Sequence, residues 1–319
     1  MVNKFTFKRR HIYFGIYINN KQIFLIKEKE GIIGQLPESE SSNIHPVQLK
    51  SFLKGIYSPF YISHLIVPSN LFPEPVYKQN FEELCYHFGI NFVHFLEPLV
   101  LAGIGTDLQS KHDILFIGNF ENGIAEIGLV AFNKLLYSQK IPYGQILNIA
   151  IIHHLINQHK IIIEKNTAKK IWQKVGTFTN ARLQVTVSGY TLNTDEQTTL
   201  VTSEEITPIL KNIFELIINE CKTQMDLIPF IIDKSGYLLK TDAFNNKLPN
   251  LGLKSKKEIK ENIFKTGLFF TGTECNIHDL DNFMHEKLNI PVQCVKQPEE
   301  CINKGLKFIM DNQKLLVVK

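Results

Sequence analysis

Short apolar runs separated by clusters of polar and turn-forming residues punctuate this chain, and most have the length and composition of strands. Residues 12–18 and 22–27 are two such runs, joined by the polar Asn19-Asn20-Lys21, and they predict a hairpin. The densest pattern spans 113–144. There, 114–117, 124–132 and 135–141 read as a meander whose first turn contains Asn122-Gly123. Asn-Gly is a hairpin signal, and a glycine beside an acid between strands is also how nucleotide-binding folds bring backbone N–H groups to phosphate. Further strands are expected at 63–68, 92–95, 268–271 and 291–295, with 183–188 paired to 198–202 around a polar turn.

Apolar residues at helical spacing predict helices over 47–56, 81–89, 99–108 behind Pro98, and 145–159. Others follow at 167–175 with Thr167 as N-cap, from 206 to about 225 behind Ser203, Glu204 and Glu205, and at 279–288 and 299–310. Residues 37–43 read as loop, as does part of 230–260, which is polar, Lys-rich and carries Pro249. Strands alternating with helices ahead of the meander are the mark of an α/β domain.

At 319 residues the chain is long enough for about two domains. With 44% hydrophobic and 21% charged residues it has the composition of a folded protein. The formal charge of +4 is spread along the chain, so no nucleic-acid footprint is expected. Five cysteines without a CxxC pair argue against a disulfide framework and a zinc knuckle. No apolar run approaches the roughly 20 residues of a membrane span, and the N-terminus lacks a signal-peptide core, so a cytoplasmic protein is expected. Phe5 and Phe7 among Lys4, Lys8, Arg9 and Arg10 read either as an edge strand or as a weak membrane-surface contact through residues 1–10. His153, His154 and His159 cluster near one predicted helix but match no HExxH spacing, so no metal site is expected from them. Walker A, nucleophile-elbow and Cys-His patterns are missing.

Several short pieces stand in a telling order: Val67-Pro68-Ser69, Glu97-Pro98 with Ala102-Gly103-Ile104-Gly105, Leu136-Tyr137-Ser138 with Gly144, and Ala150-Ile151-Ile152. They continue with Thr167-Ala168, Val175-Gly176, Thr202-Ser203-Glu204-Glu205-Ile206, Thr271-Gly272, Leu280-Asp281 and Ile290-Pro291-Val292. Collinear over nearly the whole length, they resemble the bacterial actins of the MreB family, in the actin/Hsp70/sugar-kinase superfamily. The resemblance implies an α/β, actin-like (ribonuclease H-like) fold of two lobes, with ATP or ADP and Mg²⁺ in a central cleft. It places the first lobe at 1–107, completed by 303–319, and the second at 108–302, with 151–223 as its small subdomain.

Departures from the family pattern fall on the implied nucleotide site. Where the first phosphate turn carries an acid and a Gly-Thr, this chain has Gly15-Ile16-Tyr17-Ile18-Asn19-Asn20-Lys21, with Tyr17 in the carboxylate's place. The second phosphate turn becomes Asn119-Phe120-Glu121-Asn122-Gly123-Ile124-Ala125-Glu126, in which only Gly123 and Glu126 match. The ribose- and adenine-holding pair falls on Lys169 and Trp172, and the adenine-side glycine turn keeps Thr271-Gly272 but continues with Thr273 and Glu274. Glu97 stands where the family orients its attacking water; a loop-capping role is the other reading. These departures imply a degenerate site in which ATP or ADP with Mg²⁺ binds weakly or not at all. Only a short polar stretch separates Gly34 from Val47, so the first lobe's small subdomain is expected to be reduced or absent. The implied role is a cell-shape scaffold that partners other actin-like subunits or a conventional bacterial actin. The alternatives are an active, filament-forming ATPase and a non-polymerising module that binds a membrane-protein tail.

Overall fold

β1 (Arg10–Asn19) turns into β2 (Gln22–Lys27) in the expected hairpin, and β2 pairs with β3 (Gly31–Pro37), all antiparallel. β4 (Tyr61–Pro68) and β5 (Phe92–Leu96) join in parallel, so the sheet order is β3-β2-β1-β4-β5. β4 is buried without interruption from Ser63 to Pro68, as a parallel strand covered on both faces should be. The computed structural model describes residues 10–19, 22–37, 53, 61–72, 74–108, 112, 114–131, 134–191, 193–241 and 256–312. Two units divide the chain: Met1–Thr106 with Glu300–Lys319, and Asp107–Glu299.

In the first unit, α1 (Pro75–His87) and α2 (Pro98–Gly105) both start on a proline, whose missing N–H costs nothing at that position. α2 is buried along its whole length, and the C-terminal helix, Cys301–Asp311, packs on it through backbone contact. A Cβ on Gly305 would lie 1.9 Å from the Leu101 carbonyl oxygen, and one on Gly105 would lie 1.8 Å from that of Cys301. Glycine is required at both positions for the helices to meet this closely.

The second unit opens with the meander β6 (Ile114–Glu121), β7 (Ile124–Ala131) and β8 (Lys134–Ile141). α3 (Tyr143–His159) and α4 (Lys165–Val175) lead to an antiparallel pair, β9 (Gln184–Tyr190) and β10 (Glu196–Thr202). Then come α5 (Ser203–Thr241), α6 (Lys256–Thr266), β11 (Leu268–Thr271), α7 (Leu280–Leu288) and β12 (Val292–Cys294). β11 pairs with β6 and β12 with β11, both in parallel, and the order β12-β11-β6-β7-β8 repeats the plan of the first sheet. Phe120, Tyr143, Trp172 and Phe214, all fully buried, form the aromatic centre of this unit's core.

Four expectations need correction. Pro37, expected to open the 37–43 loop, is the last residue of β3, a strand tolerant of proline at its end. α4 begins at Lys165 with Glu164 at its N-cap, so Thr167 lies inside the helix. α5 continues through Pro229 to Thr241 and α6 starts at Lys256, so the 230–260 stretch is helical at both ends. α1 starts at Pro75, six residues before the amphipathic pattern became readable. The N-terminal basic-aromatic stretch through residue 9, the turn residues Asn20 and Lys21, the 47–56 helix apart from Leu53, and residues 38–46 of the stretch where a reduced small subdomain is expected lie outside the described residues. No helix among the described residues is long and apolar enough to cross a membrane.

Candidate functional site

The turn between β6 and β7 is a two-residue hairpin in which Asn122 (φ 52°) and Gly123 (φ 73°) both adopt positive φ. Asn and Gly are the residues that tolerate this conformation. The tip rests on the start of α3: the Gly144 N–H donates to the Gly123 carbonyl at 2.8 Å, and a Cβ on Gly144 would sit 2.4 Å from the Gly123 Cα. This close approach aims the Gly123 N–H at the space beside α4.

Glu274 occupies that space. It lies in a 3-10 turn, Thr273–Cys275, that begins after Gly272, where φ is +93° and a Cβ would come 2.3 Å from the Phe120 carbonyl oxygen. The Glu274 carboxylate accepts from the Gly123 N–H at 2.6 Å and from the Tyr143 hydroxyl at 2.8 Å, both at Oε2. Oε1 has no directed hydrogen bond, and its partner is the Lys169 ammonium at 2.7 Å. The side chain is 1% exposed. Burial, reinforced by the Glu274 charge and hydrogen bond, pushes the Tyr143 phenol well above its ordinary range, so Tyr143 stays a neutral donor.

A second carboxylate borders the cluster. Glu121 accepts from the Thr273 N–H and hydroxyl, each at 3.0 Å. Burial raises its proton affinity, the Thr273 bonds oppose that rise, and the charge of Glu274 adds to it. What remains open is a cavity of about 180 Å³ bordered by Gly123, Gly144, Asn148, Lys169, Trp172 and Glu274. That is below the roughly 300 Å³ at which small-molecule pockets begin.

Of the site residues expected from sequence, Gly123, Lys169 and Trp172 meet around this cavity. Trp172 presents no free donor to it, because its indole N–H donates to Asn148 Oδ1 at 3.0 Å. Asn119 and Thr271 face each other on β6 and β11; the Thr271 hydroxyl contacts Asn119 Oδ1 at 3.1 Å. Gly272 makes the turn that delivers Glu274. Glu126 is buried on β7, accepting from the Ser138 hydroxyl at 3.0 Å, and does not border the cavity. In the other unit, Asn19 ends β1 opposite Gln22, and Asn20 lies outside the described residues. Glu97 stands at the N-cap of α2 without a side-chain cap bond, and its carboxylate accepts from the Ser69 hydroxyl at 2.9 Å. Tyr143 is a partner that no motif in the sequence indicates, and Glu274 stands in the sequence only as a departure from the glycine turn.

A family model described as MreB/Mbl protein matches residues 43–232. The cell shape-determining protein Mbl of Bacillus subtilis (strain 168) is 22% identical over 296 residues, covering 90% of this chain and 79% of that protein. Its Bacillus cereus counterpart is 23% identical over 296 residues, covering 89% and 78%. Among solved structures, MreB5 of Spiroplasma citri bound to ADP aligns with a TM-score of 0.68 at 15% identity, covering 95% of this chain and 97% of that one. The MamK double helical filament aligns at 0.64 with 12% identity, covering 95% and 99%.

Proposed function

The chain belongs to the MreB/Mbl protein family, a cytoskeletal cell-shape family of actin-like fold, and from that premise we propose that it is a scaffold with a degenerate nucleotide site. The observation that carries this reading is Glu274. Its buried carboxylate already holds the Gly123 N–H and the Lys169 ammonium, the kinds of donor that would receive a phosphate. A nucleotide entering beside them would have to displace that carboxylate or lie against its charge, which the Lys169 ammonium offsets only in part.

Solved relatives bind nucleotide: MreB5 of Spiroplasma citri is known with ADP and with AMPPNP. This chain is assigned the corresponding positions Asn119, Gly123, Lys169, Trp172, Thr271 and Gly272 in weakened form, within lobes at 1–107 plus 303–319 and at 108–302. Titration calorimetry with Mg-ATP tests the assignment. Heats too weak to fit a micromolar site are expected from the native chain, with measurable binding gained in Glu274→Gly. Micromolar or tighter binding by the native chain would overturn the reading.

The second reading is an ATP-dependent filament-forming ATPase, and one observation favours it: Ser69 holds the Glu97 carboxylate at the start of α2, ready to orient a water. Assembly separates the two. The scaffold reading, with its shortened first lobe, expects a monomer or small oligomer in isolation and association with a conventional bacterial actin. Electron microscopy that finds long filaments of the chain alone, formed only with ATP, would favour the ATPase.

A further inference from the structure

The last turns of α3 and the first turn of α5 bring together three side chains from two separate stretches of the sequence. His154 and His159 come from α3, and Glu205 comes from the first turn of α5. Glu205 Oε2 lies 2.6 Å from His159 Nε2 and 3.3 Å from His154 Nε2, and the three donor atoms all fall within 4.8 Å of one another. The side chains are 22%, 21% and 27% exposed, so water reaches them without flooding the cluster.

The groups behind these atoms are what make the cluster a built site. Glu205 Oε1 is taken up by the Thr202 N–H at 3.2 Å and the Thr202 hydroxyl at 2.9 Å, the carboxylate half of a capping box at the start of α5. That leaves Oε2 turned toward the imidazoles. His159 Nδ1 lies 2.8 Å from the Thr199 hydroxyl, and this contact fixes the ring so that Nε2 faces Glu205. A hydrogen-bonded second ring nitrogen and a carboxylate anchored through its other oxygen are the supports that metal-ligating residues have. In the metal-free form the short His159–Glu205 contact is a hydrogen bond that fills the space between them. Bound to a tetrahedral ion at about 2.0–2.1 Å, neighbouring ligand atoms stand about 3.3 Å apart. His154 and Glu205 already have that spacing; His159 has to draw back from Glu205 by less than about 1 Å, and the two imidazole nitrogens, which lie within 4.8 Å of each other, have to reach the same spacing.

We propose that His154, His159 and Glu205 form a binding site for a divalent first-row transition metal of the Zn²⁺ class, with water completing the shell. Two imidazoles and one carboxylate select such ions over Mg²⁺ and Ca²⁺, which prefer all-oxygen shells. Bound there, the ion ties the end of α3 and the β10 strand bearing Thr199 to the start of α5. The site is independent of the Glu274 cluster and of nucleotide.

The test uses the full chain with Zn²⁺, and with Co²⁺ as a spectroscopic probe. The expected result is one high-affinity equivalent per chain, a visible Co²⁺ spectrum of low-symmetry four-coordinate type, and an upward Tm shift that EDTA reverses. Glu205→Gln keeps the capping box but surrenders the charged ligand, and His154→Gln leaves the helix intact; each should lower Zn²⁺ affinity at least about tenfold. Thr199→Val should lower it by a smaller factor, and His153→Ala, an exposed neighbour on the same helix, should leave it unchanged. Absence of Zn²⁺ binding by the native chain, or affinity unaltered in both Glu205→Gln and His154→Gln, would overturn the assignment.

Discussion

The Lys169 ammonium sits 2.7 Å from the Glu274 carboxylate, and the two differ sharply in exposure: the lysine side chain is 35% exposed and the glutamate 1%. Lysine can return to water if the pair breaks; Glu274 cannot. Removing Lys169 therefore strands a buried charge that retains only the Gly123 N–H and the Tyr143 hydroxyl.

Lys169→Met should accordingly destabilise the second unit by about 2 kcal/mol, below the usual range for a buried pair because solvent screens the lysine. Glu274→Gln keeps an acceptor for Gly123 and Tyr143, so it should cost only about 1 kcal/mol. Urea unfolding of both variants near neutral pH checks the order. Equal losses, or a smaller loss for Lys169→Met, would mean that the ion pair is not what holds Glu274 in place.

Glu97 offers a cleaner separation of roles. Its carboxylate has one modest structural contact, the Ser69 hydroxyl, so Glu97→Ala should cost about 1 kcal/mol or less and leave the far-ultraviolet spectrum intact. Any residual ATP hydrolysis should vanish in the same variant, because a water-orienting group acts in the transition state. Steady-state phosphate release on the folded mutant decides the matter; unchanged turnover would make Glu97 a purely structural residue.

Local patterns were legible where the code is local. β2 and β11 have the expected limits because apolar alternation and turn residues bracket them, and Asn122-Gly123 forms the hairpin that such a pair encodes. Where tertiary contact overrides propensity, the reading fell short: Pro37 closes β3 instead of opening a loop, and Pro229 sits inside α5. The candidate site was half visible. Gly123 and Lys169 could be placed from their motifs, but their partner Glu274 lies 151 residues beyond Gly123, and no spacing rule spans that distance. Glu205 escaped for the same reason. It lies 46 residues past His159 and meets it only because α5 starts beside the end of α3.

The contact between α2 and the C-terminal helix yields a prediction about packing alone. A Cβ at Gly305 would fall 1.9 Å from the Leu101 carbonyl oxygen, a backbone atom that cannot rotate away. Gly305→Ala gains helix propensity of about 1 kcal/mol in isolation, yet overpacking should reverse the sign, for a net loss of about 2 kcal/mol or more. A rise in Tm for Gly305→Ala would show that the helices separate at little cost. The same substitution should leave Zn²⁺ binding untouched, since the proposed metal ligands lie in the other unit.

His64 makes stability depend on pH in a direction that can be worked out. It is buried in β4, stacked on Tyr13 and Phe92 at centroid distances of 4.5 and 4.8 Å, with His11 Nδ1 2.8 Å from its Nε2 and His94 Nε2 3.0 Å from its Nδ1. A neutral imidazole can donate from one nitrogen and accept at the other, which suits a row of three rings. A second proton would be buried and would face two further imidazoles. Burial first, then the charges of His94 and His11, lower its pKa from 6.5 to about 4. Below pH 6.5 the unfolded chain binds a proton that the folded chain refuses, so stability falls as the pH drops and levels off only below about 4. Complete, the loss is about 3 kcal/mol. Above pH 6.5 the group is neutral in both states and contributes no slope. Urea unfolding at stepped pH across this window should therefore show a decline that His64→Phe, which preserves the stacking, makes shallower, the remainder including His94, whose pKa burial also lowers. An equal decline in the variant would place the titrating group elsewhere.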